Sequence, residues 1–310
     1  MELDKIKDAL NNISQDKEKN DFINEQKEAE LKFFESIKGF VSHEKYIDIF
    51  KCLEVVLNSK KIHSFILDGS FGLGKSTIIK GYLKQNNHKF VYLNSYSTAL
   101  SLYLQVYHNK DKLILLDDLN GIWKDEKGLS ILRALINTED VRYITYNSSS
   151  EKLTAQSNFI FYGKIIILCN DIRNNLDETI LSRVIYRNLR FNFAEKFDFI
   201  ESIIKNNYNL QENQVKEILR FLKINLNECV INFNFRSLLK ITEFYLKYPD
   251  EWRILSLKEI PKDEDMQLIK DLSLKNITIK AQIQEFITIT GKSRRTYFNL
   301  KKKYNELKVS

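Results

Sequence analysis

Gly69-Ser70-Phe71-Gly72-Leu73-Gly74-Lys75-Ser76 reads G-x-x-x-x-G-K-[ST], the spacing of a phosphate-binding loop. Glycines let the backbone turn tightly and aim its N–H groups at phosphate oxygens. A lysine at position 75 reaches β- and γ-phosphates, and a hydroxyl at 76 ligates Mg²⁺. Residues 63–67 ahead of the loop are mostly apolar, as in a buried strand. Residues 77–83 behind it have helical spacing, so a helix N-terminus adds its dipole to the anion site. Strand, loop and helix in this order predict a nucleotide site lined by Gly69, Ser70, Phe71, Gly72, Leu73, Gly74, Lys75, Ser76 and Thr77.

The remaining sequence bounds what surrounds that site. An apolar content of 43% over 310 residues supplies real cores, and 12% aromatics argues against disorder. Cys52, Cys169 and Cys229 are far apart and form neither a metal-ligand spacing nor a disulfide framework. Residues 1–21 are charged throughout, without a signal-peptide pattern, and no run approaches the ~18 apolar residues of a membrane span. A cytoplasmic protein with no membrane partner is expected.

Taken in order, residues 1–40 read as a charged helical arm. Ser42 is placed to cap a helix over 43–58. After the loop, residues 89–93 form a second strand and 98–108 a helix. Residues 113–118, LILLDD, form a third strand ending in two acids. Asp117 is positioned to hold Mg²⁺, and Asp118 to orient or deprotonate the attacking water. Residues 129–137 have helical spacing. The β-rich runs 142–146 and 158–162 flank a polar stretch and predict an inserted hairpin, with Lys152 near its tip. Residues 165–170 are a buried strand ending in Asn170. A helix over 176–184 and a last strand over 191–193 complete the pattern. Strands alternating with helices predict an α/β fold with a parallel sheet and the nucleotide at the strands' carboxyl ends. Beyond it the pattern is all helical: 194–205, 211–223, 235–247, and a short helix from Pro249. Pro261 and its charged neighbours read as a linker.

Charge is concentrated at the end of the chain. Residues 279–310 carry eight Lys/Arg against two acids, so this segment accounts for +6 of the net +7. Residues 281–287 have helical period, Thr290-Gly291-Lys292 is a turn, and Ser293 is placed to cap a second helix. Helix, glycine turn and basic helix predict a helix-turn-helix DNA reader. Arg294, Arg295 and Thr296 are expected to face the groove, Lys301, Lys302 and Lys303 to hold phosphates, and Lys292 in the turn to contact DNA as well. Tyr297, Phe298 and Leu300 are expected to pack inside.

Together these residues resemble the AAA+ family of ATPases over residues 41–247. GSFGLGKS is similar to its Walker A motif and LILLDD to Walker B, with Asp118 where the family more often carries Glu. Asn170 resembles the sensor-1 residue, which helps to place the attacking water. Arg183 in ILSRV resembles the arginine finger that reaches a neighbouring subunit's γ-phosphate, with Arg187 as its rival. Arg236 resembles the sensor-2 arginine of the lid. The hairpin ahead of Asn170 resembles the insertion of superfamily 3 and minichromosome maintenance helicases, where it touches nucleic acid. The helical lid followed by a DNA reader resembles replication initiators and helicase loaders. The resemblance implies a core over 41–193, a lid over 194–258 and a helix-turn-helix domain over 259–310. It further implies ATP and Mg²⁺ as cofactors, DNA as partner, a homo-oligomeric ring or spiral with a hexamer expected, and replication proteins as associates.

Overall fold

In the computed structural model the described residues are 44–94, 98–119, 121–147, 154–173, 176–207, 210–231 and 233–309. The expected arm over 1–40, the Ser42 cap and the hairpin tip with Lys152 lie outside them. The described residues divide into two compact units, one of residues 44–69 and 74–188, the other of 70–73 and 189–309.

The first unit is built on a five-stranded sheet. Its strands are β1 (Ser64–Gly69), β2 (Phe90–Asn94), β3 (Leu113–Asp117), β6 (Lys164–Leu168) and β7 (Ile185–Leu189). They lie in the order β2-β3-β6-β1-β7, and the β2–β3, β3–β6 and β6–β1 pairs are parallel. Every residue of β1 is buried, as is all of β6 after Lys164, which is why these strands read as unbroken apolar runs rather than alternating ones. The parallel register brings the carboxyl ends of β1, β3 and β6 to the same edge.

The helices of this unit follow from their ends. α1 (Glu44–Asn58) is closed by the Lys164 ammonium, which donates to the Leu57 and Ser59 carbonyls at 2.7 and 2.8 Å. α2 (Lys75–Gln85) starts at Gly74, whose φ of 70° lies in the left-handed region that other residues avoid. Thr98 caps α3 (Ala99–His108), and Asp125 caps α4 (Glu126–Leu135). β4 (Arg142–Thr145) and β5 (Asn158–Phe161) form the expected antiparallel hairpin. It is anchored by Arg142, which is buried, donates to the Leu135 carbonyl at 2.8 Å, and stacks 4.8 Å from the Phe161 ring. Burial pulls the Arg142 guanidinium down to about 10.

Two local expectations differ from the structure. The helix read over 176–184 is only α5 (Glu178–Leu181), because Asp177 caps it late and β7 begins at Ile185. Residues 191–193 are not a strand. Asn192 and Glu195 form a reciprocal capping box, with Glu195 N–H on Asn192 Oδ1 at 2.9 Å and Asn192 N–H on Glu195 Oε2 at 2.8 Å. Phe193 therefore opens α6 (Phe193–Asn207).

The second unit is helical. It continues through α7 (Glu212–Asn225), α8 (Phe235–Lys247) and α9 (Trp252–Leu257) into α10 (Glu264–Leu274), α11 (Ile279–Thr290) and α12 (Arg294–Val309). The stretch read as a charged linker contains α10. Asp263 is its N-cap, accepting from Met266 N–H at 3.0 Å, and Glu264 and Asp265 occupy its first turn, where acids favour the helix dipole. Met266, Ile269 and Leu272 of α10 share a core with Ile283 and Phe286 of α11 and Tyr297 and Tyr304 of α12. α11 ends on Gly291 at φ 68°, and Ser293 Oγ accepts from Thr296 N–H at 3.2 Å, so the expected helix, turn and capped helix are present.

Candidate functional site

The carboxyl edge of the sheet gathers five of the sequence-derived site residues. Lys75, first in α2, is buried, and its ammonium donates to the Gly69 carbonyl at 2.8 Å and to Asn170 Oδ1 at 2.9 Å. Burial lowers the Lys75 ammonium from its ordinary value, while Asp68, Asp171 and Asp117 nearby act in the opposite direction. Asn170 uses its other end as donor, from Nδ2 to Asp118 Oδ1 at 3.3 Å. One amide thus joins the loop lysine to the acid that follows β3. Beside it, the Ser76 hydroxyl donates to Asp117 Oδ2 at 2.6 Å.

Asp118 stands just past β3 with φ 59°, and Asp171, next to Asn170, has φ 52°. Left-handed backbone is tolerated by Asp and Asn far better than by longer side chains. The backbone itself therefore accounts for Asp rather than Glu at 118.

The donor set fits Mg²⁺. Ser76 and Asp117 offer a hydroxyl and a carboxylate, both hard oxygen ligands, within one hydrogen bond of each other. Among the described residues no cluster of three or more His, Cys, Asp or Glu forms an all-protein cage.

Two residues of this edge escaped the sequence reading. Asp68, wholly buried, accepts from Gly69 N–H at 2.9 Å, Ile172 N–H at 3.1 Å and Tyr186 OH at 2.9 Å. It ties the entry of the phosphate loop to the segment after Asn170 and to β7. An acid inside an otherwise apolar strand was its only sequence signal. Tyr92 of β2 donates its hydroxyl to Asp117 Oδ2 at 2.7 Å, and nothing in sequence pairs the two.

The arginines are placed differently. Arg183 follows α5 and is half-buried, with Nη1 donating to the Arg133 carbonyl at 3.3 Å. Among the described residues no hydrogen bond joins it to the Lys75 cluster. Arg187, its rival, is paired with Asp48 of α1, and that carboxylate raises its guanidinium further. In the second unit Arg236 is exposed in the first turn of α8. Asn234 caps that helix, accepting from Arg236 N–H at 2.9 Å, and Phe235 N–H donates to the Gly72 carbonyl at 3.2 Å.

The basic tail divides into two sets. Lys301 is half-buried, and its ammonium donates to Gln282 Oε1 and Tyr297 OH, both at 3.0 Å; Tyr297 OH also donates to Gln282 Oε1 at 2.7 Å. Lys292 is paired with Asp265. Lys303 lines a cavity of about 280 Å³ together with Glu228 and Asp263. Thr296 is half-buried with its hydroxyl against Ser293. Arg294, Arg295 and Lys302 are exposed along one face of α12. Phe298, expected inside, is 44% exposed on that same face, with the Arg294 guanidinium 5.6 Å from its ring. Tyr297 is fully buried, as expected.

No family model matches the sequence, and no curated protein is similar to it. Two solved structures from Thermotoga maritima are similar in fold. The RuvB Holliday junction branch migration motor overlays with a TM-score of 0.48 at 11% identity, covering 84% of this chain and 88% of that one. Domain III of the replication initiation protein DnaA overlays with a TM-score of 0.47 at 16% identity, covering 73% of this chain and 95% of that one. Both likenesses are distant, with TM-scores below 0.5. No helix among the described residues is long and apolar enough to cross a membrane.

Proposed function

We propose that this chain is an AAA+ ATPase that hydrolyses ATP and acts on DNA as a homo-oligomer. The observation that carries the reading is the bridge from Lys75 through Asn170 to Asp118, beside the Ser76–Asp117 pair. In it a phosphate-binding lysine, a metal-binding hydroxyl and an acid suited to general-base work share one sheet edge. Ser76 and Asp117 would hold Mg²⁺, which would supply positive charge to the phosphates. The backbone of residues 69–77 holds the phosphates, and Lys75 exchanges its Gly69 and Asn170 partners for phosphate oxygens. Asp118 and Asn170 hold the attacking water in line, and Asp118 takes its proton. Arg183 is lent by a neighbouring copy to the γ-phosphate, since Arg187 is already paired within its own chain.

The C-terminal three-helix unit is the DNA reader, with Arg294, Arg295 and Lys302 on its outer face. The β4–β5 hairpin is the moving contact of a replication motor for a small replicon, working with other replication proteins. A switch that assembles on DNA when ATP binds, as initiators, loaders or transposition regulators do, is the second reading. It is favoured by the short reach of Asp118, which suits slow hydrolysis.

Strand displacement separates the two: a motor unwinds a forked duplex with ATP, and a switch binds it without unwinding. The shared site is tested by mixing Arg183→Ala and Asp118→Ala proteins. Turnover of the mixture above that of either alone supports a site completed between copies, and no recovery refutes it.

A further inference from the structure

β2 is the outer strand of the sheet, and Tyr92 stands opposite Leu115 in its register with β3. Two hydroxyls converge on one oxygen of Asp117: Tyr92 OH at 2.7 Å and Ser76 Oγ at 2.6 Å. A carboxylate rotates easily about its last torsion, which is broad and two-fold. Two donors on the same oxygen fix its plane. The tyrosine is itself seated, because the Lys80 ammonium lies 3.7 Å from its ring centroid. Lys80 is one helical turn beyond Ser76 on α2, so one helix holds the carboxylate with its first turn and the tyrosine with its second.

We propose that Tyr92 is a positioning residue for the divalent cation: its hydroxyl sets the Asp117 carboxylate, and Lys80 sets the tyrosine. This rests on the reading of residues 69–77 as an Mg²⁺–nucleotide site. Tyr92 acts through the Asp117 carboxylate. Its effect is on how strongly metal and nucleotide bind together.

The test is the coupling ratio, the affinity for a fluorescent ADP analogue with Mn²⁺ divided by that in EDTA. It is measured on the full-length protein without any turnover. Tyr92→Phe keeps the ring and the Lys80 contact and removes one hydrogen bond to a charged group, so the ratio falls about tenfold. Lys80→Met, which keeps the hydroxyl, lowers the ratio by less. Tyr92→Phe with a ratio within twofold of wild type overturns the proposal while leaving the site reading intact. A wild-type affinity that ignores Mn²⁺, or one that Lys75→Ala does not lower, overturns the site reading and this proposal with it.

Discussion

Replacing Asp118 by Glu asks whether this backbone demands a short acid. At φ 59° the residue is in the left-handed region, where a side chain other than Gly, Asn or Asp costs about 1 kcal/mol more. The added methylene also moves the carboxylate about 1.5 Å along the chain. The Asn170 Nδ2 contact, already long at 3.3 Å, is then lost, at a cost of about 0.5–1 kcal/mol. Asp118→Glu is therefore expected to lose about 1.5–2 kcal/mol in urea unfolding, the sum of these two terms. Its ATP turnover falls roughly 100-fold, the usual effect of misplacing a catalytic group by about 1 Å. Asp118→Asn is the control. It fits the same backbone, so stability stays within about 0.5 kcal/mol, yet turnover falls about 10²–10⁴-fold for lack of a base. Asp118→Glu protein as stable and as fast as wild type would refute the reasoning, because the left-handed position would then impose no choice of side chain.

Other expectations follow from buried charge and from the tail. His63 is buried, its Nε2 has no hydrogen-bond partner among the described residues, and burial with Arg142 and Lys164 nearby lowers it from 6.5 to about 4. The unfolded chain then binds more protons between these values, so stability is full above pH 6.5 and declines as pH falls towards 4. The ceiling is about 3 kcal/mol, and urea midpoints across pH 4–7 should show a slope that His63→Phe flattens. Arg142→Met strands the buried Leu135 carbonyl and loses the Phe161 stack, and calorimetry should find it about 2–3 kcal/mol less stable. On duplex DNA, Arg294→Ala, Arg295→Ala and Lys302→Ala combined should flatten the slope of log affinity against log salt by about 2–3, roughly one phosphate contact each. Lys301→Met should leave that slope unchanged and lower the melting temperature, because its ammonium is engaged with Gln282 and Tyr297.

The parts of the site legible in sequence were those written along one strand or loop. Glycine spacing at 69–76, two acids closing a buried run at 117 and 118, and an asparagine closing another at 170 each carry their chemistry locally. Tyr92 and Asp68 were not legible, because their roles exist only where separate strands meet in register. The misplaced last strand is instructive. Phe191-Asn192-Phe193 alternates like a strand, but Asn192 and Glu195 sit three apart and cap each other, and that pairing decided the local structure. The acids at 263–265 read as part of a linker, yet they cap and open α10. Likewise, a run of three lysines, 301–303, looked uniform, yet helical geometry turns Lys301 inward and leaves Lys302 outside.

In the proposed reaction Lys75, Asn170 and the two acids hydrolyse ATP. Phosphate release from ATP with Mg²⁺, measured for wild type and Lys75→Ala in the presence of duplex DNA, tests it most directly. Measurable wild-type turnover that falls at least about 100-fold in Lys75→Ala is the expected result. Equal turnover in the two proteins, or none in wild type, would contradict it.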